Sequence, residues 1–64
     1  MTEYRLSKWA CRLELSNALQ SGNAKQVALA LSLCKRNGLK KSDFRDLLES
    51  HLYDEQVDRI LKRY

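Results

Sequence analysis

Apolar residues recur at helical spacing along nearly the whole chain, and the densest run is Asn23 to Leu39, NAKQVALALSLCKRNGL. At ~100° per residue, Ala24, Val27, Ala30, Leu31 and Cys34 form one stripe, which Leu29 and Leu33 widen past half the circumference. Lys25, Ser32, Lys35 and Arg36 lie outside it. A helix apolar over so wide an arc is ordinarily covered by neighbours on several sides. This stretch is therefore predicted as the central helix, residues 24–37. Asn23 and Gln26 fit a capping box at its start, the Asn oxygen on early amides and the Gln reaching back. Asn37-Gly38 supplies a left-handed stop, after which Leu39 folds onto the last turn.

A first helix is predicted over residues 3–21, with Thr2 as its cap and Gly22 as its end. It carries two apolar faces. Leu6, Trp9, Ala10 and Leu13 lie together; Tyr4, Cys11, Leu15 and Ala18 lie roughly opposite, with Leu19 at their margin. Arg5, Lys8 and Arg12 form a basic ridge between them. One face packs on the central helix. The other is either covered by a later helix or left as a dimer seam or partner surface. Ser42, with Asp43 behind it, is read as the cap of a third helix, 43–50, whose Phe44, Leu47 and Leu48 face inward. Asp54 with Glu55 opens a fourth, 55–63, with Val57, Ile60, Leu61 and Tyr64 on one stripe. No alternation of polarity suggests a strand. The expected fold is all-α: one domain, residues 1–64, a compact bundle of four short helices.

Length sharpens this picture. At 64 residues the chain sits near the lower limit for folding without disulfides, metals or partners. A core of that size rarely yields more than ~3–5 kcal/mol of net stability, which makes self-association an open option. The formal charge of +4 and pI near 9.3 favour an acidic protein surface, nucleic acid or an anionic membrane as partner. No window is apolar enough to span a bilayer, and the charged start is unlike a secretory signal. The cytoplasm is the expected location, where Cys11 and Cys34 stay reduced.

The residue set offers little to catalysis. There is one histidine, no glycine-rich phosphate loop and no serine or cysteine in a nucleophile context. Asp43, Asp46, Glu49 and Asp54 read as caps and solvent-facing positions. Cys11, Cys34 and His51 lack metal-ligand spacing, and both cysteines fall on apolar faces as small hydrophobes. No enzyme activity, cofactor or metal is expected. His51 reads as a helix-end residue near the last carbonyls.

Two patterns bear on binding. Around Gly38, Leu33, Leu39, Phe44 and Leu47 match the apolar positions of a helix-turn-helix, with Cys34 at its small position. Lys35, Arg36, Lys40 and Lys41 cluster in the turn, and with Arg45 they form the candidate phosphate-contacting set. The outward residues of the third helix include Asp43, Asp46 and Glu49 against Arg45 alone, a poor surface for a groove lined by phosphates. Trp9 with Arg5, Lys8 and Arg12 also suits a helix lying at a membrane interface, though the second apolar face weakens that option.

The stretch LSLCKRNGLKKSDFRDLLESHLYDEQVDRILKRY, residues 31–64, resembles a three-helix repeat of the RecX family. Ser42, Phe44, Leu47, Leu48, Tyr53, Val57, Ile60 and Leu61 occupy the patterned places. RecX proteins are regulators that bind the RecA–DNA filament, so the resemblance implies regulation through protein contact. It covers one repeat, about half the chain. The sequence thus reads as a small non-enzymatic regulatory protein of adaptor or inhibitor type, binding a protein partner or itself. Its contacts are expected on the first helix, from Tyr4, Lys8, Arg12, Leu15 and Leu19. The alternative is DNA binding through Lys35, Arg36, Lys40, Lys41 and Arg45.

Overall fold

The computed structural model describes residues 6–64. The elements are α1 (Lys8–Ser21), α2 (Ala24–Arg36), α3 (Lys41–His51) and α4 (Asp54–Arg63), with no strand among the described residues. Helix α1 begins later than residue 3. Ser7 is extended, and its Oγ accepts from the Ala10 amide at 3.1 Å, which caps the helix at Lys8. Thr2, assigned as the cap, lies outside the described residues. Gly22 then ends α1 in the left-handed conformation, φ 70°.

The capping chemistry departs from the expected boxes in instructive ways. Asn23 Oδ1 accepts from Lys25 and Gln26 amides at 2.9 and 3.4 Å, but the Asn23 amide donates to Ser21 Oγ at 3.2 Å instead of to Gln26. At α3 the cap is not Ser42. The helix starts earlier, at Lys41, because Asp43 reaches back and its Oδ2 accepts from the Lys40 amide at 2.7 Å. Likewise Asp54 is the first residue of α4 rather than its cap, and Gln56 Oε1 accepts from the Tyr53 amide at 3.1 Å. Side chains three residues inside thus set both starts. His51 Nδ1 lies 3.1 Å from the Leu47 carbonyl, at the end of α3.

Packing corrects the choice of central helix. The fully buried side chains are Cys11, Leu15, Cys34, Phe44 and Leu48, joined in the core by Ala18, Leu19, Ala30, Leu39, Val57 and Leu61. Helix α1 contacts both α2 and α3, whereas α2 packs on α1 and α4 on α3. Most of the packing therefore runs through α1, with α3 linking it to α4. On α2 only Ala30 and Cys34 are buried, and Leu29 is 64% exposed. These two small residues bring α2 close to α1, but no other helix covers the rest of its wide stripe. Of the two faces of α1, the core takes Cys11, Leu15, Ala18 and Leu19; Trp9 and Leu13 face solvent.

Loose ends are tied by polar side chains. Asn37 Nδ2 donates to the Leu33 carbonyl at 2.8 Å, and its Oδ1 accepts from the Leu6 amide at 2.9 Å, pinning the segment before α1 to the end of α2. Tyr64 stacks edge-on against Phe44, centroids 4.7 Å apart, and its hydroxyl donates to the Leu39 carbonyl at 2.8 Å. The turn itself depends on Gly38, φ 80°, after which the Leu39 amide donates to the Cys34 carbonyl at 3.0 Å. Nothing lies within 4 Å of where a Gly38 Cβ would stand. Gly38→Ala is therefore expected to cost only the backbone term, ~1–2 kcal/mol, seen as a lowered urea midpoint with unchanged slope.

Candidate functional site

Helices α2 and α4 do not pack on one another, and a groove lies between them. Helix α2 contributes Ala24, Val27, Ala28, Leu31 and Lys35, successive turns of one face. Helix α4 contributes Gln56, Arg59, Ile60, Arg63 and Tyr64. Leu19 and Leu52 complete the apolar lining, and the groove, open to solvent, has a volume of about 630 Å³. Its geometry follows from the division of labour within each helix. Ala30 and Cys34 hold α2 on α1, while Val57 and Leu61 hold α4 on the core, so their facing sides stay apart. Val27, Leu31, Leu52, Ile60 and Tyr64 pack on the core yet remain half-exposed.

The groove is asymmetric in charge. Lys35, Arg59 and Arg63 stand on it, and no carboxylate residue is among those lining it. Lys35 Nζ donates to the Tyr64 main-chain oxygen at 2.7 Å and lies 5.8 Å from the centre of the Tyr64 ring, joining the C-terminal ends of α2 and α4. Among the described residues neither Arg59 nor Arg63 enters an ion pair. A second depression of about 550 Å³, between α1 and α2, mixes Glu14, Asn17, Gln26 and Arg36 with Leu29 and Leu33 and has no dominant charge.

The residues assigned to a first-helix interface are dispersed by the fold. Tyr4 lies outside the described residues. Leu15 and Leu19 are 0% and 7% exposed and belong to the core, Leu19 with one edge on the groove. The helix had two faces of similar apolarity, and the larger contact with α2 and α3 fell to this one. Lys8 and Arg12 are engaged internally. Lys8 Nζ sits 3.1 Å from Asp43 Oδ1. Arg12 grips Asp46 with two nitrogens, each at 2.8 Å, and also donates to the Asp43 carbonyl.

These contacts hold the carboxyls of Asp43 and Asp46 below their ordinary range. For Asp43 the Lys40 amide is the main cause, followed by Lys8; for Asp46 it is Arg12. A depressed carboxyl stabilises the fold above its unfolded value, ~3.9, and that stability disappears as pH falls through the lowered folded values. The urea midpoint should therefore stay level from pH 8 to about 5 and decline below about 4. Asp46 is 63% exposed on its side chain, so solvent limits the Arg12–Asp46 share to ~0.2–1 kcal/mol. A double-mutant cycle with Arg12→Gln and Asp46→Asn checks this, and a zero coupling at pH 7 would count against the pair.

The alternative basic set also changes character. Arg36, Lys40 and Lys41 are exposed at the turn, but Lys35 is turned to Tyr64, and Arg45 Nε pairs with Glu49 at 3.2 Å. Helix α3 crosses α1 and does not return onto α2, so the two helices flanking Gly38 lack the mutual packing of a helix-turn-helix. Cys11 and Cys34 are free and buried, and Cys34 Sγ lies 3.7 Å from the Cys11 carbonyl. Among the described residues no group of three or more His, Cys, Asp or Glu is placed to hold a metal ion. No described helix is long and apolar enough to cross a membrane.

No protein-family model, curated protein or solved structure matches this chain. The groove therefore stands on its geometry. Its signal was present in the chain: Ala24, Val27, Ala28 and Leu31 share one side of α2, and Arg59, Ile60, Arg63 and Tyr64 one side of α4. What the periodicity lacked was any indication that the two sides face each other.

Proposed function

We propose that this chain is a small non-enzymatic regulatory module, of adaptor or inhibitor type, that acts by binding a protein in the groove between α2 and α4. The observation that carries the reading is the half-exposed apolar lining from Val27, Leu31, Leu52 and Ile60, a surface the chain's own helices do not cover. The resemblance of residues 31–64 to a RecX repeat points the same way, toward regulation by protein contact.

A photo-crosslinking amino acid at Ala28, on the groove wall, tests this against one at Ser42, exposed on α3 beside the basic turn. In the host that makes the protein, Ala28 is expected to give a discrete protein adduct that Ile60→Glu removes. Equal adducts from both positions, or none from Ala28, overturn the reading.

One observation favours DNA as a second reading. The acids of α3 that opposed it, Asp43 and Asp46, are neutralised by Lys8 and Arg12. Duplex binding through Arg36, Lys40 and Lys41 should weaken steeply with salt and be lost in Lys40→Glu/Lys41→Glu. Salt-independent or unchanged binding in the folded double variant removes the turn as a contact.

A further inference from the structure

We infer that the occupant of the α2/α4 groove is an acidic amphipathic helix, an inference that rests on the protein-binding reading and adds the chemistry of the partner. Size comes first. The open groove has a volume of about 630 Å³, comparable with ligand-sized clefts of ~300–1,000 Å³. The groove walls are helices of 13 and 10 residues, so at ~1.5 Å per residue a partner of two to three turns matches their length. Apolar side chains at i, i+3, i+4 and i+7 of such a helix meet Val27, Leu31, Leu52 and Ile60.

Charge selects among amphipathic helices. Lys35, Arg59 and Arg63 stand on the groove and no acid does. Away from the groove three bases are paired, Lys8 with Asp43, Arg12 with Asp46 and Arg45 with Glu49. Arg59 and Arg63 have no such partner among the described residues, although Asp54, Glu55 and Asp58 lie on the same helix. Glu or Asp flanking the partner's apolar stripe supplies the missing anions, whereas Lys there meets three like charges. A second copy of this chain fits poorly. Among the described residues its exposed large apolar side chains, Trp9, Leu13, Leu29 and Tyr53, are spread over α1, α2 and the turn before α4 instead of forming one stripe, and the chain as a whole carries +4.

The test uses the full chain and two fluorescein-labelled peptides of 18 residues. Both carry Leu on one helical stripe; one has Glu on the flanking positions and the other Lys. At 50 mM salt the Glu peptide is expected to bind at least ten-fold tighter by anisotropy, with amide shifts at Val27, Leu31 and Ile60. At 500 mM that advantage should shrink, since exposed charges are screened within a few ångströms. Arg59→Glu/Arg63→Glu, exposed positions whose change should leave the helical circular dichroism intact, is expected to reverse the preference. Equal affinity for the two peptides overturns the acidic assignment, while a persisting Ala28 adduct would leave protein binding itself standing. Vesicles of phosphatidylserine and phosphatidylcholine are the control. Charge-dependent binding to them with neither peptide bound also overturns it, assigning the bases to a membrane surface.

Discussion

Leu15→Glu is expected to leave the chain unfolded at 25 °C, with the helical circular dichroism lost rather than an association weakened. Leu15 is 0% exposed, on the face of α1 that meets both α2 and α3. Truncating a buried leucine costs ~2–5 kcal/mol. A carboxylate in its place adds either the burial of an unpaired charge or the work of protonating it, because the core offers no buried polar side chain as partner. Against a net stability of ~3–5 kcal/mol for a core of this size, no folded fraction should remain. Leu13→Glu is the control. Leu13 is 44% exposed on the opposite face, and that variant should keep its fold and stay within ~0.5 kcal/mol of the parent. A folded, cooperative Leu15→Glu monomer beside an unfolded Leu13→Glu would show the two faces of α1 to be exchanged.

That contrast marks where the sequence stopped being informative. The fold class was legible, because Gly22, Asn23, Gly38 and the apolar periodicity are local signals that act within a few residues. Helix starts were less so: Asp43 and Gln56 reach back to amides at Lys40 and Tyr53, and the pattern alone credited Ser42 and Asp54. Within Lys8–Ser21 the two faces of α1 fall as divided, while Leu6 precedes the helix and packs on the core; which face is buried depends on α2 and α3, a tertiary choice that helical periodicity does not encode. The same gap explains the central helix. Seven apolar residues on α2 suggested enclosure, but burial is set by the number of neighbours available, and a chain of 64 residues has too few helices to surround it. The uncovered remainder became the wall of the groove. The basic ridge of α1 illustrates the point for charge: Lys8 and Arg12 read as partner contacts only until Asp43 and Asp46, more than thirty residues away, were placed opposite them.

Cys34 is expected to react with iodoacetamide at pH 8 at least 10²-fold more slowly in the folded chain than in 6 M guanidinium chloride. Burial pushes its thiol up to about 11, against ~8.5 for a free cysteine, so the reactive thiolate falls from roughly a quarter of the population to about a thousandth. It is also 0% exposed, which removes access as well. Cys11 is raised too, mainly by burial, and peptide mapping separates the two sites. The sign for stability follows. A thiol whose folded value is raised supports the fold fully below its unfolded value, and that support is lost as pH climbs from ~8.5 towards about 11. The urea midpoint should therefore fall over that alkaline window, and Cys34→Ala, costly at neutral pH, should show a flatter decline. Rapid labelling of native Cys34 at pH 8 would contradict its place between α1 and α2. Because Cys34 is one of the two buried residues holding α2 to α1, its labelling requires α2 to lift away. An occupant spanning α2 and α4 binds only while α2 is down, so it slows that opening by mass action. Labelling of Cys34 with and without the Glu-flanked peptide therefore reads groove occupancy from inside the core, at a residue the peptide never touches.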